Sequence, residues 1–323
     1  MYYIKTPLRV SLFGGGTDIP EYFKKNKGQV TGFTINKFIY IFANEIDISQ
    51  GFKYRLSYKN NEDINDINKI KHPLFKEILK KNNLKNSFHF STLSSIPASS
   101  GLGSSSSFLV GLIKIINLIE GVKASDISIA KKAINIERNI LAEHGGWQDQ
   151  LHPVFGGINT FFFEKDGDIK VEKHDLELEN LEKLNRSMYI IFTEKTRSAK
   201  NIEKDKKISH DQKFLDETLV LAKEGNKLIK NKKLSLVDIG ILLNEGWRLK
   251  KSLAKSVTNE EIDEKYNRII ECGVYGAKLC GAGGGGFFFV LANDEAIKKI
   301  KENFKNSVLC KIKIDRKYHF GEI

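Results

Sequence analysis

Residues 96–107 read IPASSGLGSSSS, and residues 108–120 continue as FLVGLIKIINLIE. The second stretch is apolar nearly all round, which predicts a helix buried on every side. It opens on four serines, side chains that suit a helix N-terminus, and Gly121 stands where a terminating glycine belongs. The predicted helix therefore runs from Ser104 to Glu120. The first N–H groups of a helix lack internal partners and carry the positive end of its dipole. Gly101 and Gly103 allow backbone angles closed to other residues, and small side chains let an anion reach those N–H groups. The segment reads as a phosphate cradle built from main chain, with serine hydroxyls available to a metal ion. A serine-capped helix after a flexible turn would give the same letters. No Gly-Lys-Ser/Thr follows the glycines, so this is not a Walker loop, and the absence of HRD and DFG excludes the protein kinases.

On either side of this segment the chain alternates between strand and helix signals. Residues 2–13 read as a strand that ends in Gly14-Gly15-Gly16. Residues 30–46 are β-branched and aromatic and predict one or two strands. Residues 53–58 and 87–93 also read as extended, and residues 72–82 as a short helix. A second helix is predicted from Asp126 to Glu143, with Ile129, Ala133, Ile136 and Ile140 at helical spacing and Gly145-Gly146 as its stop. Strand signal returns at 158–163 and 188–193. From Ser198 to Glu271 the pattern is helical and charged, with a break expected near Gly246. CGAGGGGFFFV, residues 280–290, is a glycine loop feeding a strand, and residues 308–320 alternate again. The 323 residues exceed the roughly 250–300 at which single cores stop growing, so two α+β lobes are expected, residues 1–185 and 186–323.

The chain carries 52 Lys and Arg against 40 Asp and Glu, a net charge of +12. That balance permits nucleic acid, anionic lipid or a phosphorylated small molecule as partner. Residues 195–233 supply half of the excess, with 12 basic and 6 acidic side chains, and a solvated helical face accounts for that run. No RNP-type aromatic motif is present, so no nucleic-acid partner is expected. Three cysteines with no CxxC, and seven histidines with no HExxH, give neither a disulfide framework nor a zinc site. The N-terminus lacks a signal-peptide layout. The longest apolar run, Phe108–Ile119, is interrupted by Lys114 and is short of the ~20 residues of a membrane span. No membrane association is expected, and the location expected is cytoplasmic.

Gly281–Gly286 formally satisfies GxGxxG, but a strand follows it where a dinucleotide fold needs a helix. Close backbone packing against another loop, or a tight hairpin, explains the glycines better. Arg9 lies in an apolar strand and needs a partner, as a structural ion pair or as a site cation. Asp18, after the triple glycine, reads as a turn or cap residue or as an acceptor for sugar hydroxyls. Glu137, mid-helix, and Asp149, in GGWQDQLHPVFGG, are ordinary residues singly. Together with a phosphate cradle they become site candidates.

The segments Pro7–Tyr22, Pro97–Ser105 and Lys278–Gly286, in this order and spanning nearly the whole chain, resemble the GHMP small-molecule kinase superfamily, whose most specific mark is the middle one. Within it, Gly14-Gly15-Gly16-Thr17-Asp18 with Pro20 and Tyr22, Gly146-Trp147-Gln148-Asp149-Gln150 and Thr196-Arg197-Ser198 resemble the heptose 7-phosphate kinases; L-fucokinase domains share much of the pattern. The resemblance implies an α+β, two-lobed fold with an N-terminal α/β lobe and a C-terminal ferredoxin-like lobe. It implies ATP and Mg²⁺ as cofactors, and transfer to the anomeric hydroxyl of a sugar phosphate. Pro97, Ser100, Gly101, Leu102, Gly103, Ser104, Ser105 and Ser106 would then surround ATP, and Ser105 with Glu137 would hold Mg²⁺. Asp149 would take or orient the hydroxyl proton and Arg9 would steady it. Thr17 and Asp18 would bind sugar hydroxyls, and Trp147 would stack on the sugar ring. Gly15, Gly16, Gly283 and Gly284 would line the substrate site, with Gly281–Gly286 buttressing the phosphate loop, and Arg197 would meet the distal phosphate. Packing explains Trp147 equally well, and a homodimer is left open. The competing class is a non-catalytic ligand-binding protein on a kinase fold.

Overall fold

The computed structural model describes residues 1–82, 84–195, 212–253, 255–315 and 319–322. Its frame is a long antiparallel pair, β1 (Tyr2–Phe13) with β2 (Gly28–Ile46), in register from Tyr2 against Ala43 to Phe13 against Thr31. Residues 30–46 are thus one strand. Register shifts at Pro7/Leu8 and Ser11/Phe13 bend the pair, the first where proline has no N–H to give the ladder. The sheet continues through β5 (Ser87–Ser94) to β3 (Tyr54–Ser57) and β4 (Asn61–Ile64), while β6 (Ile158–Phe163) pairs with β2 and β7 (Ile169–Lys173) with β6. Helix α1 (Pro20–Asn26) falls between β1 and β2, and α2 (Pro73–Lys81) between β4 and β5. The serine-initiated helix, α3 (Ser104–Ile119), is buried along Ser106–Ile116, as its apolar circumference predicts, and packs on β1 and β2.

The second sheet is β11 (Leu309–Lys311), β8 (Met188–Phe192), β10 (Phe287–Leu291) and β9 (Gly276–Leu279), in that order and antiparallel throughout. Among the described residues, helices α7 (Gln212–Lys230), α8 (Leu236–Leu253) and α9 (Glu260–Glu271) lie between β8 and β9, and α10 (Asp294–Asn303) lies between β10 and β11. The chain-order pattern 4-1-3-2 is the ferredoxin-like arrangement. The FFFVL run of β10 is apolar at every position because both its faces are covered: Phe287, Phe289 and Leu291 join the large core shared with the first sheet, and Phe288 and Val290 join a separate core that contains Trp247. Phe289 meets Phe33 of β2 edge-on at 5.8 Å, which joins the two sheets.

The structure departs from the sequence reading in several places. Helix α4 (Asp126–Ile134) does not run on as an α-helix to Glu143; residues 135–140 form a π-turn. A further helix, α5 (Gln148–Phe155), stands where a glycine-rich loop was expected. α1, β4, β7, α6 (Leu178–Ser187), β9 and α10 carried no signal strong enough to be read. Gly246 does not break α8; among the described residues the α-helical pattern is interrupted at 231–235 and at 255–259, the latter beginning with a 3-10 turn at Lys255–Val257. The chain passes to the second sheet at Met188. Yet residues 186–323 also send material back to the first sheet: β12 (His319–Glu322) pairs with β1, and α7 packs on β1 and β2.

Two glycines within helices separate propensity from packing. An added Cβ at Gly246 meets nothing within 4 Å, whereas one at Gly225 of α7 lies 2.2 Å from the Phe13 ring. Gly246→Ala should therefore stabilise the protein by about 1 kcal/mol, the helix-propensity gain. Gly225→Ala should destabilise it, because overpacking costs ~1–3 kcal/mol against that same gain. Urea unfolding midpoints of the two variants, compared with wild type, check both signs.

Candidate active site

The loop before α3 turns through left-handed residues at Ser99 (φ 57°), Gly101 (φ 79°) and Gly103 (φ 76°), and Ser100 and Leu102 between them have no positive φ. Such alternation turns successive N–H groups to one side and forms a nest for an anion. The loop's carbonyls are engaged elsewhere: Ser100 O accepts from Phe287 N (3.1 Å), Leu102 O from Arg9 N (3.0 Å) and Gly101 O from Arg9 Nη1 (2.6 Å). Helix α3 begins at Gly103 with no side-chain cap, whereas α4, α9 and α10 are capped by Ser125, Asn259 and Asn293. Among the described residues its first N–H groups meet no cap, so they can take an external acceptor. Gly281 lies against the back of the nest, where a Cβ would sit 2.5 Å from Gly101 Cα, so neither position has room for a side chain. This is the close loop-to-loop packing expected from the third glycine segment.

Arg9 couples this loop to a distant turn. Its side chain is 5% exposed; Nε and Nη2 reach Asp149 Oδ1 at 3.0 and 2.9 Å, while Nη1 holds Gly101 O. Asp149 sits in the first turn of α5, an acid at the positive end of a helix, with 29% of its side chain exposed. Burial pushes its carboxyl up, but the charges of Arg9 and Arg138 prevail and hold it below the usual carboxylate range. The turn is fastened from two sides. Asp18, fully buried, accepts Gln148 N at Oδ2 (2.9 Å) and Gly16 N at Oδ1 (2.9 Å), and its carbonyl accepts Trp147 N. Arg138 donates to the carbonyls of His144 (3.0 Å) and Gly146 (2.9 Å).

Glu137 lies on the π-turn, 1% exposed, and faces the start of α3. π-turns of this kind recur at functional sites. Its Oε1 accepts Ser105 Oγ (3.0 Å); its Oε2 accepts Ser106 Oγ (2.7 Å) and Gln150 Nε2. The carboxylate, the exposed Ser105 hydroxyl and the uncapped helix start form a hard-oxygen set beside an anion seat, a donor chemistry that fits Mg²⁺ shared with phosphate. Among the described residues no group of three or more His, Cys, Asp or Glu could hold a metal by itself.

The remaining predicted residues are placed as follows. Pro97 is exposed at the loop's outer edge and Ser104 half-buried beside Ser105. Gly15 is exposed and Gly16 half-buried, next to the Gln148 turn. Thr17 is fully buried, its hydroxyl given to the carbonyls of Gly14 and Gln29. Trp147 packs edge-on against Phe23 at 4.7 Å and near Phe163, the packing reading. Gly283 and Gly284 are buried against Val257, whose carbonyl accepts Gly284 N at 2.8 Å. Arg197 lies outside the described residues. Sequence reading missed Gln148, Gln150, Arg138 and His152. The QDQ triplet was the visible signal, but the reach of Gln150 to Glu137 across 13 residues has no local pattern.

His152, one turn after Asp149, is fully buried, and among the described residues neither of its ring nitrogens has a partner. Burial first, and the charge of Arg9 second, push its imidazole down to about 3. The unfolded chain takes up this proton near pH ~6.5. The group's cost to the folded state is thus absent above that value and grows as pH falls toward 3, by up to about 1.4 kcal/mol per pH unit. Unfolding free energies measured between pH 7 and 4 should fall less steeply for His152→Asn than for wild type.

Known proteins match this chain along nearly its full length. Residues 68–157 match the GHMP kinases N terminal domain and residues 228–308 the GHMP kinases C terminal domain. The chain is 35% identical over 303 residues, 88% of its length and 87% of the other's, to D-glycero-alpha-D-manno-heptose 7-phosphate kinase of Campylobacter jejuni. It is 25% identical over 343 residues, 96% of its length and 32% of the other's, to the bifunctional fucokinase/GDP-fucose pyrophosphorylase of Arabidopsis thaliana. A D-glycero-D-manno-heptose 1-phosphate kinase from Bacteroides thetaiotaomicron superposes with a TM-score of 0.80 over 100% of this chain and 99% of that one, at 22% identity, a likeness of fold. With both domains matched and a full-length relative sharing a third of its residues, the chain belongs to the GHMP kinases, ATP-dependent phosphotransferases.

Proposed function

We propose that this protein transfers the γ-phosphoryl group of ATP to the anomeric hydroxyl of a D-glycero-D-manno-heptose 7-phosphate, in the cytoplasm and with Mg²⁺. One observation carries the reading: a single guanidinium, Arg9, is bonded both to the carbonyl of Gly101 in the nest and to Asp149. An anion seat and a proton acceptor are thereby held a side chain's width apart, the placement phosphoryl transfer requires. The 35% identity to the Campylobacter jejuni heptose 7-phosphate kinase supports the choice of sugar.

In this reading the polyphosphate lies on the N–H groups of 101–106, with Ser104 on a phosphate oxygen. Ser105 and Glu137 would hold Mg²⁺, which when bound would neutralise charge on the phosphoryl oxygens. The sugar's anomeric oxygen forms a bond to the γ-phosphorus, the bond from that phosphorus to the β-phosphate oxygen breaks, and ADP leaves. The hydroxyl proton passes to Asp149, whose carboxylate is kept ionised by Arg9 and so is ready to accept it. Gly15 and Gly16, at the edge of the turn, border the sugar. Thr17 and Asp18 shape that border from behind, since their polar atoms are taken by main chain. Gly283 and Gly284 back the phosphate loop through the Gly281 contact. Arg197 is assigned to the 7-phosphate on its chemistry, a planar fork suited to phosphate oxygens. The lobes divide near residue 185.

Asp149→Asn should lower kcat by roughly 10²–10⁴-fold, the usual worth of a positioned base, while the KM for ATP stays near wild type. Wild-type turnover in that variant overturns the assignment. Arg9→Lys keeps the charge but loses the fork, so turnover should fall although net charge does not change. A panel of sugars compared by kcat/KM decides the substrate: heptose 7-phosphate should lead, and a lead for L-fucose by orders of magnitude overturns the proposal.

A further inference from the structure

Gln150 follows Asp149 in the chain but turns to the other half of the site. It is fully buried, and its Nε2 donates to Glu137 Oε2 and to Ser106 Oγ (3.2 Å). Ser106 Oγ donates to the same Oε2 at 2.7 Å. Two donors from the interior therefore fill one oxygen of Glu137. Among the described residues its other oxygen, Oε1, receives the hydroxyl of Ser105 alone, at 3.0 Å, and Ser105 is exposed at the start of α3. The two oxygens of a carboxylate are equivalent until the protein makes them different, and here the inner one is anchored and the outer one presented.

The chemistry of the anchor matters. A lysine or arginine in place of Gln150 would spend the charge of Glu137 on an internal ion pair. An aspartate or glutamate would repel it. An amide supplies a donor and no charge, so the full negative charge of Glu137 remains for whatever meets Oε1. The amide nitrogen faces the carboxylate, since its oxygen there would be repelled. Gln150 also shares its helical turn with Asp149, so the cation-facing carboxylate and the proton acceptor are held by one element.

We infer that Gln150 is a positioning residue that fixes which oxygen of Glu137 meets the divalent cation, and so sets cation affinity; this rests on the kinase reading above. The test uses Mn²⁺ as probe, titrated into the full-length protein with ADP and read by electron paramagnetic resonance. Gln150→Met keeps length and removes the donor. It should weaken Mn²⁺ binding roughly 10–100-fold, the usual effect of losing a partner behind a metal ligand, while metal-free ADP binding stays unchanged. Its kcat should recover toward wild type as Mg²⁺ is raised. Ser106→Ala, which removes the other donor to Oε2, should move Mn²⁺ affinity in the same direction, and it carries the test if Gln150→Met fails to fold. Unchanged Mn²⁺ affinity in the folded variant, beside a wild type that binds, overturns the inference alone. A wild-type protein that takes up no Mn²⁺ with ADP overturns the kinase reading and this inference with it.

Discussion

The site hangs on the burial of one cation. Arg9 enters the interior on β1 between buried Leu8 and Val10, and an unpaired guanidinium there would cost several kcal/mol. The fold meets that cost with the carbonyl of Gly101 and the carboxylate of Asp149. Because the three groups belong to β1, the loop before α3 and the first turn of α5, pairing the charge also fixes the geometry between these elements. The backbone of Arg9 adds a further bond, from its N–H to Leu102 O. Structure and chemistry thus share one requirement, in which Asp149 keeps Arg9 tolerable inside and Arg9 keeps Asp149 ionised.

The first turn of α5 distributes its three residues to three parts of the site. Gln148 gives its N–H to Asp18, which acts as a helix cap supplied from 130 residues away. Asp149 goes to Arg9, and Gln150 to Glu137. Each of these ties has a charged partner and so contributes more than a neutral hydrogen bond, roughly 1.5–3 kcal/mol. In the proposed reading they also remove rotational freedom from groups that would face a reactant, which is where positioned catalysis gains its advantage.

Much of the fold was legible because it rests on local signals. The buried helix α3 announced itself by an apolar run between serines and a glycine, and β10 by FFFVL after a glycine loop. The ferredoxin-like order followed only from the family resemblance, since nothing local tells β10 to lie between β8 and β9. The errors are informative. Gly246 was read as a break because glycine is a poor helix former, but packing of Trp247 and Leu243 into the interior outweighs a penalty of about 1 kcal/mol. α5 was hidden by flanking glycines and by Pro153, and its start is stabilised by Asp18, a residue no window around position 148 contains. The same reason hid Gln150: residue types can mark a site, but the partners of a buried amide are set by tertiary folding.

The central claim is that the N–H groups of residues 101–106 seat a polyphosphate. Backbone amide hydrogen exchange, followed by mass spectrometry on peptides covering residues 97–107, tests it without any substitution. Addition of ADP with Mg²⁺ should slow exchange in this segment far more than addition of adenosine, because the phosphates and not the base meet those N–H groups. Equal exchange with and without ADP across residues 97–107, with protection appearing elsewhere in the chain, would contradict the account.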